Sequence, residues 1–472
     1  MLFSIATLLV ANFNGIVALV LFVFINAFFL FCLVNKRLKK FVLVPLFMLV
    51  GFVCVTTFQW YNANDRVQAE NVLVTGRVCE IRSTGVVLED VKVANKGING
   101  NVILYTEQQL DIGNTISTKA DIEPIIYNYD DTYINHLYDN NIFHSVQTNE
   151  IKITGKTNLK VSEKIKKRTI QVYSNEREDT FAIAYAMMFG DTSFISEDIK
   201  LLLNKTGLNH IFAVSGLHIG FIAYIIMWLN KKLKIKRLAN ILLTATVLIL
   251  YNILCGYSPS MVRATIMIAI LLFANEYGLK NDGLSRLSLA GIIILLIKPF
   301  SLFTASFELS FFAVFGLIAF ARFFDGKFNK NNNKFKEVMC ASLAVNFAIF
   351  PFICYHFKTF PLLFLPVNML ILPILPFIYS LTMLFTIVNL IIPTVNFVVV
   401  VNYLLIPIKI ASILVDAVSI SMVNIAFTKT MAIFYLLGEV VLTPYVLLSK
   451  KSKISIYTMC IILGLVFTLI QL

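Results

Sequence analysis

Long apolar runs are the feature that most restricts how this chain can fold. Several of them approach the ~20 residues that a helix needs to cross a bilayer. The 472-residue chain is 58% hydrophobic and only 14% charged, which is far more apolar surface than a soluble protein of this size requires. The runs after residue 207 lie at about 211–229, 238–255, 260–276, 287–297, 301–320, 338–355, 361–373, 376–393, 396–415, 431–448 and 454–471. The sequence therefore predicts an α-helical polytopic membrane protein.

Residues 1–60 are predicted to form the first transmembrane spans. The pieces 16–34 and 41–59 are each long enough to cross, whereas the apolar piece 2–11 is too short to cross alone and its state stays open. The loop Lys36–Lys40 between the two spans is basic, which favours the cytoplasmic side. The second span would then deliver the chain to the outer face.

Residues 62–155 have the composition of a soluble domain. Stretches rich in Val, Ile and Thr alternate with period two and are separated by Gly and Asn, which predicts about five short antiparallel strands. That number of strands in under 100 residues indicates a small all-β, OB-fold-like domain on the extracytoplasmic side. Between residues 62 and 150 there are 6 basic and 13 acidic side chains. Because phosphate contacts need Lys and Arg, this charge argues against DNA binding over a broad face and favours a structural or gating role.

Residues 156–206 form a basic linker. Lys164, Lys166, Lys167 and Arg168 alternate with apolar residues such as Ile165. The pattern is typical of a basic amphipathic helix that lies on the membrane surface, and a solvated linker is the alternative.

The stretch Asn204–Tyr224 begins polar and becomes apolar at Ile211. It carries His210 and His218 where a membrane helix should begin, and Ser215 lies three residues before His218, on the same helix face. Small residues recur at helical spacing, which is how membrane helices pack closely. A tight helix–helix seam with one hydrogen-bonded histidine would explain these residues as well as a functional site does.

The same stretch resembles the signature of the ComEC competence-protein family, which reads roughly G-L-x-H-L-L-A-x-S-G-L-H. The matching residues are Gly207, Leu208, His210, Ala213, Ser215, Gly216, Leu217 and His218. Four further patches are similar to the family: Cys255–Ala264, Lys298–Phe311, Asn346–Phe357 and Pro366–Pro373. The resemblance covers nearly the whole chain.

The resemblance implies a channel for uptake of single-stranded DNA across the cytoplasmic (inner) membrane in natural transformation. From the residues themselves we expect no cofactor, no metal site and no catalytic residue. Because the chain has no GxxxxGK[ST] phosphate-binding loop, a cytoplasmic ATP-driven helicase or translocase is an expected partner. Membrane lipid is the surrounding partner, and whether two copies form a homodimer stays open.

The chain also departs from the family pattern. The family usually has Gln at the position of Glu308 and an acidic residue near Thr304. Many members continue into a metallo-β-lactamase-like domain with an HxHxDH motif, which this chain does not contain. We therefore expect a short form whose nuclease is a separate protein.

The basic loops predict the topology of residues 207–472, the proposed channel domain. If every segment crosses once, the loop Lys450–Lys453 falls on the outer side, against the positive-inside rule. The short segment 361–373 is broken by Pro361, Pro366 and Pro373. A re-entrant segment at 361–376 that lines the translocation path returns every basic loop to the cytoplasm.

Polar residues within the apolar segments are the candidates for this path, since polar groups at membrane depth are costly unless they face a partner or water. The translocation-path candidates are His210, Ser215, His218, Arg263, Glu308 and Asn368. The outer-face basic candidates are Lys298, Lys358 and Lys409. Arg263 is expected either to snorkel to headgroups or to contact phosphate. Glu308 is expected to pair with Arg263 or to hydrogen-bond Ser215 or His218.

Two other functions fit part of the pattern. A transporter of a smaller anionic substrate would use the re-entrant half-helix as its binding site. An intramembrane hydrolase would use Ser215 and His218 as nucleophile and base, although no orienting acid is evident. Loss of transformation on gene deletion separates the DNA channel from both, and unchanged activity of Ser215→Ala would exclude the hydrolase.

Overall fold

A computed structural model describes residues 67–82, 85–126, 131–173, 178–208, 216–278, 282–328, 333–371, 373–392, 398–407, 410, 422–443 and 449–471. The predicted spans in 1–60 lie outside the described residues. The chain divides into two compact units. We call residues up to Glu163 together with Gly291–Thr304 the β unit, and Lys164–Ala290 together with Ala305–Leu472 the helical unit.

The β unit is built on a closed five-stranded barrel. The described residues of the unit form seven strands, of which β3 and β7 lie outside the barrel. The strands are β1 (Ala69–Arg82), β2 (Gly85–Val93), β3 (Lys96–Gly97), β4 (Asn101–Tyr105), β5 (Asn114–Pro124), β6 (Ile142–Gln147) and β7 (Ile151–Lys156). The barrel order is β1-β2-β4-β6-β5, and β5 pairs back with β1 to close it. Strands β4 and β6 run parallel, whereas the other barrel pairs are antiparallel. The small all-β, barrel-like domain predicted from the sequence is thus confirmed.

Period-two alternation explains the barrel core. In β5 the side chains alternate between buried and less buried along the strand, with Ile116 and Ile122 fully buried. Buried apolar side chains from neighbouring strands, such as Val78 and Leu88, meet them in one cluster. The sequence predicted about five strands, all antiparallel, whereas the described residues of the β unit form seven and the pair β4–β6 is parallel.

Helix α1 (Thr132–Asp139) precedes β6. The side chain of Asp131 caps it by accepting hydrogen bonds from the amides of Tyr133 and Ile134. A 3₁₀ turn, Pro299–Phe303, packs on this helix within the β unit. Ser301 donates a hydrogen bond to the Asp139 carboxylate, and Phe300 lies edge-on to Tyr138.

The helical unit contains most of the remaining elements. They are α2 (Val161–Tyr173, whose first turn belongs to the β unit), α3 (Glu178–Phe189), α4 (Glu197–Thr206), α5 (Gly216–Lys232), α6 (Arg237–Cys255), α7 (Pro259–Glu276), α8 (Gly283–Ile297, shared with the β unit), α9 (Ala305–Phe328), α10 (Lys334–His356), α11 (Phe364–Ile371), α12 (Leu375–Ile391), α13 (Val398–Leu404), α14 (Lys429–Leu442) and α15 (Lys450–Gln471). The chain is therefore mostly helical, as predicted.

Three helical stretches among the described residues are long and apolar enough to cross a membrane. They are Leu238–Cys255, Ala305–Lys327 and Lys336–His356, in α6, α9 and α10. Helices α9 and α10 approach closely at Gly316, where an added Cβ would lie 2.5 Å from the carbonyl oxygen of Ala344. Such backbone proximity at a glycine is characteristic of helices that pack in lipid. The chain is a membrane protein.

The predicted re-entrant segment 361–376 contains a short helix and a sharp bend. Helix α11 has 8 residues, a rise of about 12 Å, which is less than half of the ~30 Å hydrocarbon core. It meets α12 at a break with an angle of 54°. Just before α11, the short strand β8 (Thr359–Pro361) pairs antiparallel with β9 (Met422–Asn424).

Candidate functional site

Arg263 is a buried cation without a carboxylate partner among the residues that the structure describes. Its side chain lies in α7 with only 6% of the residue exposed. The guanidinium Nε donates a hydrogen bond to the hydroxyl of Ser310 in α9 at 2.9 Å, and the group lies 5.8 Å from the ring centre of Phe311. Residue 216 is glycine, and a Cβ there would lie 3.1 Å from the Arg263 Nη2. The glycine of the signature thus leaves room for the guanidinium.

The position of Arg263 is electrostatically costly. It lies in the first turns of α7, and Ser310 lies in the first turns of α9. The N-terminal ends of helices carry partial positive charge, which disfavours a cation and favours an anion. A buried charge is normally paired, and the hydroxyl and the ring supply only part of that compensation. The arrangement can accept an anion.

Glu308 does not pair with Arg263, and the expected pairing is corrected by the structure. Its Oε2 lies 2.6 Å from Nε2 of His356 in α10, and both side chains are buried. A carboxylate and an imidazole at this distance form a strong hydrogen bond through Nε2, whereas Nδ1 of His356 has no partner among the described residues. The sequence pointed to His356 only as part of a family-like patch, because its partner is 48 residues away in the chain.

His218 packs against one of two hydrogen-bonded tyrosines. The His218 ring lies 3.8 Å, centre to centre, from the ring of Tyr379 in α12. The Tyr379 and Tyr251 hydroxyls are 2.6 Å apart, and the Tyr251 hydroxyl donates to the carbonyl oxygen of Met188 in α3. We call His218, Tyr251 and Tyr379 the tyrosine cluster. It joins α3, α5, α6 and α12.

Sequence reasoning missed the polar stripe on α12 to which Tyr379 belongs. Its members are Tyr379, Thr382, Thr386 and Asn389, all buried and spaced three or four residues apart. Their spacing places them on one helix face. A search for polar residues at helical spacing within an apolar segment would have found them.

Asn368 and Glu439 are buried polar residues that are under-satisfied within the described part of the chain. The side-chain oxygen of Asn368, in α11, has no hydrogen-bond partner there, and neither do the two carboxylate oxygens of Glu439, in α14. Asn368 is 7% exposed and Glu439 is fully buried. The structure does not bring either of them to Arg263 through a hydrogen bond or an ion pair.

The outer-face lysines differ from one another. Lys298, which precedes the 3₁₀ turn, donates a hydrogen bond to the carbonyl oxygen of Asp139 within the β unit. Lys358 is exposed beside β8. The predictions for His210, Ser215 and Lys409 lie outside the described residues.

Within the described residues, no group of three or more His, Cys, Asp or Glu side chains could hold a metal ion. The helices, the buried polar clusters and the barrel together define a polytopic membrane protein with an attached β domain. A family model described as "Competence protein" matches residues 187–468. The match covers more than half of the chain, from α3 to α15, so the chain belongs to the competence protein family, and the resemblance found in the sequence is confirmed.

Two curated proteins are similar over part of their length. ComE operon protein 3 of Bacillus subtilis (strain 168) is 29% identical over 199 residues, which are 42% of this chain and 25% of that protein. An uncharacterized protein of Aquifex aeolicus (strain VF5) is 28% identical over 146 residues, 31% of this chain and 34% of that protein. The alignments thus span a quarter and a third of these relatives. No solved structure matches the chain.

Proposed function

We propose that the helical unit forms a channel for inward passage of single-stranded DNA across the cytoplasmic membrane in natural transformation. Membership of the competence protein family and the partial similarity to ComE operon protein 3 give the proposal its biological context. The observation that carries it is Arg263, a buried guanidinium paired with a hydroxyl and a ring rather than with a described carboxylate. Every nucleotide of a passing strand supplies the anion that this cation lacks.

The topology behind the proposal is supported by the pairing of β8 with β9. Two strands that exchange hydrogen bonds lie at one level, which favours an even number of crossings between Pro361 and Met422. Three separate crossings, by α11, α12 and the run 396–415, are thereby disfavoured. Two crossings, with α11 as a half-helix that does not cross alone, put the basic loop Lys450–Lys453 on the cytoplasmic side.

The β unit is proposed to stand on the extracytoplasmic side. Lys298 and Ser301, which the predicted topology places outside, both bond Asp139 of the β unit. Their loop and the barrel would then share one face of the membrane. Because the barrel region is acidic, we assign it a structural or gating role. A cytoplasmic ATP-driven translocase and a separate nuclease are proposed partners.

Labelling of a cysteine placed at Asn368 tests this topology. In a background without other cysteines, a membrane-impermeant maleimide added outside should reach the residue through the hydrated path. A matched cysteine at Ser449, beside the basic loop, should label only from the cytoplasmic side. Labelling of position 368 from the cytoplasm alone would contradict the topology.

A transporter for a small anion is the second candidate, because a single guanidinium near two helix N-termini would suit such a substrate as well. Deletion and complementation of the gene separate the two. Loss of nuclease-resistant internalised DNA, with DNA binding at the cell surface and phosphate uptake unchanged, is expected for the DNA channel. Normal internalisation of donor DNA in the deletion strain would end the proposal.

A further inference from the structure

Helix α2 exposes a stripe of three cations. Lys164, Lys167 and Arg168 are exposed, and the last two lie three and four residues after the first, so they lie on one helix face. None of the three forms an ion pair or a hydrogen bond with another residue that the structure describes. Glu163, the nearest acid in the chain, is instead held by Arg77 within the β unit. Within the described part of the chain, the stripe is therefore a surface of uncompensated positive charge, and we call it the α2 stripe.

The opposite face of α2 is covered by protein, which differs from the membrane-surface helix expected from the sequence. Thr169 and Tyr173 are buried, and the Tyr173 hydroxyl lies 2.6 Å from that of Thr386 in α12. Ile165 and Ile170 pack against a buried cluster that includes Phe189 of α3. A helix that binds a bilayer surface must insert its apolar face into lipid. In α2 part of that face is already covered by protein.

The contacts of α2 also give its depth. The bond between Tyr379 and Tyr251 puts the start of α12 level with the last turns of α6, which is long enough to cross the membrane. Met383, one turn further along α12, packs against the core of α5 and α6, so α12 runs beside them. Thr386 is seven residues beyond Tyr379, about 10 Å deeper. Tyr173, bonded to Thr386, reaches that depth.

Helices α2 and α3 therefore form a hairpin that enters the membrane region from one side and returns to the same side. Met188, near the end of α3, is back at the level of Tyr251, to which its carbonyl oxygen is bonded. With 13 and 12 residues, the two helices rise about 20 and 18 Å, too little to cross the ~30 Å hydrocarbon core. Helix α3 is buried on all sides between Ala182 and Phe189, so only α2 presents a polar face.

Arg168 and Lys164 lie five and nine residues before Tyr173, so the stripe is about level with Tyr251, one turn from the end of α6. Charges at the end of a crossing helix must face water or headgroups rather than hydrocarbon. We propose that the α2 stripe lines the hydrated mouth of the conduit and binds the phosphates of single-stranded DNA as the strand enters. The inference rests on the proposed function and adds the binding surface that such a channel needs. Cations on a helix contact the backbone of any sequence, as a general uptake channel requires.

Removal of the stripe charges tests the proposal on the full chain in nanodiscs of phosphatidylcholine, which carries no net charge. The variant is Lys164→Gln/Lys167→Gln/Arg168→Gln, and the probe is a fluorescent oligothymidylate. We expect affinity to fall about tenfold or more near 0.1 M salt, and the slope of log K against log salt to fall by about 2, since each lost phosphate contact on a single strand accounts for roughly 0.7.

Two controls make the result specific. Lys92→Gln/Lys96→Gln/Lys119→Gln removes the same charge from exposed lysines of the β unit and should change affinity less than twofold. Lys164→Arg/Lys167→Arg/Arg168→Lys keeps the charge and should bind like the unmodified protein.

Unchanged affinity and salt slope in the stripe variant would overturn the inference. A loss of DNA binding seen only in nanodiscs with phosphatidylglycerol would overturn it as well, because the stripe would then serve lipid headgroups. Neither outcome touches the proposed channel function, which gene deletion tests separately.

Discussion

Two buried arginines, one in each unit, have opposite surroundings: one is paired with carboxylates and the other is not. Arg77 in the β unit is 8% exposed and Arg263 in the helical unit is 6% exposed. Arg77 contacts the carboxylates of both Glu89 and Glu163 and donates a hydrogen bond to the hydroxyl of Thr157. Arg263 has a hydroxyl, a thioether at 3.9 Å and an aromatic ring.

The difference separates a structural charge from one that is available for binding. The network of Arg77 ties β1 and β2 to the start of α2 and leaves the guanidinium saturated. A guanidinium with five donors and a single good acceptor retains capacity for a further anion. Burial without a carboxylate partner is thus the property that assigns Arg263 to function and Arg77 to stability.

The largest effect that the comparison predicts is on DNA import. Arg263→Gln should lower transformation at least about a hundredfold, because it removes the buried cation that can compensate a phosphate at this site. The free energy of unfolding should change little, since the loss of one hydrogen bond is offset by relief of a buried charge. Transformation frequency and thermal unfolding of the purified protein measure the two quantities. Arg263→Lys should retain part of the import, and normal import by Arg263→Gln would break the comparison.

Removal of Arg77 should have the opposite effect, a large loss of stability with little change in DNA import. Arg77→Ala leaves Glu89 and Glu163 without their shared cation, which should destabilise the β unit by about 3 kcal/mol or more. Hydrogen exchange of peptides from β1 and β2 in the full chain measures this loss. Arg77→Met combined with Glu89→Gln and Glu163→Gln removes all three charges and should restore much of the protection. No change in exchange on removal of Arg77 alone would show that the network contributes nothing.

The Glu308–His356 contact sharpens the comparison within the helical unit. Glu308→Gln should fold normally and keep DNA import within about threefold of the unmodified protein, because an amide still hydrogen-bonds the imidazole. Glu308→Ala leaves His356 without this partner and should cost about 1–3 kcal/mol of stability. Membrane insertion and thermal unfolding distinguish the variants, and failed insertion of Glu308→Gln would contradict a structural role.

The smallest predicted effect is a pH dependence of the β unit. Burial alone raises the pKa of Glu89, but hydrogen bonds from Lys160 and Arg77 outweigh it, so the pKa of this carboxyl lies below its ordinary value of 4.5. A depressed acid pKa gives stability that is present above 4.5 and is lost as the pH falls through the lower folded value. Stability of β1 and β2 should therefore decline below about pH 4.5, and less so in Glu89→Gln. An identical decline in both proteins would show that Glu89 does not cause the pH dependence.

The sequence predicted the parts that depend on local pattern. Period-two alternation predicted the barrel strands, but it could not show that β4 and β6 run parallel, because the alternation is the same for either strand direction. The amphipathic pattern of α2 could not predict whether lipid or protein covers Ile165, since both favour the same apolar side chain. The partners of Glu308 and Tyr379 could not be predicted from local pattern. In the chain, 48 residues separate Glu308 from His356 and 128 separate Tyr379 from Tyr251.

Photocrosslinking at Phe311 tests the central claim most directly. Phe311 lies beside the Arg263 guanidinium, whereas Phe323, in the same helix, is 56% exposed and serves as a matched control. Cells that produce the protein with p-azidophenylalanine at either position are irradiated during uptake of labelled DNA. The account predicts that incoming strands attach to the protein at position 311 and not at 323. Normal uptake without any attachment at position 311 would contradict it.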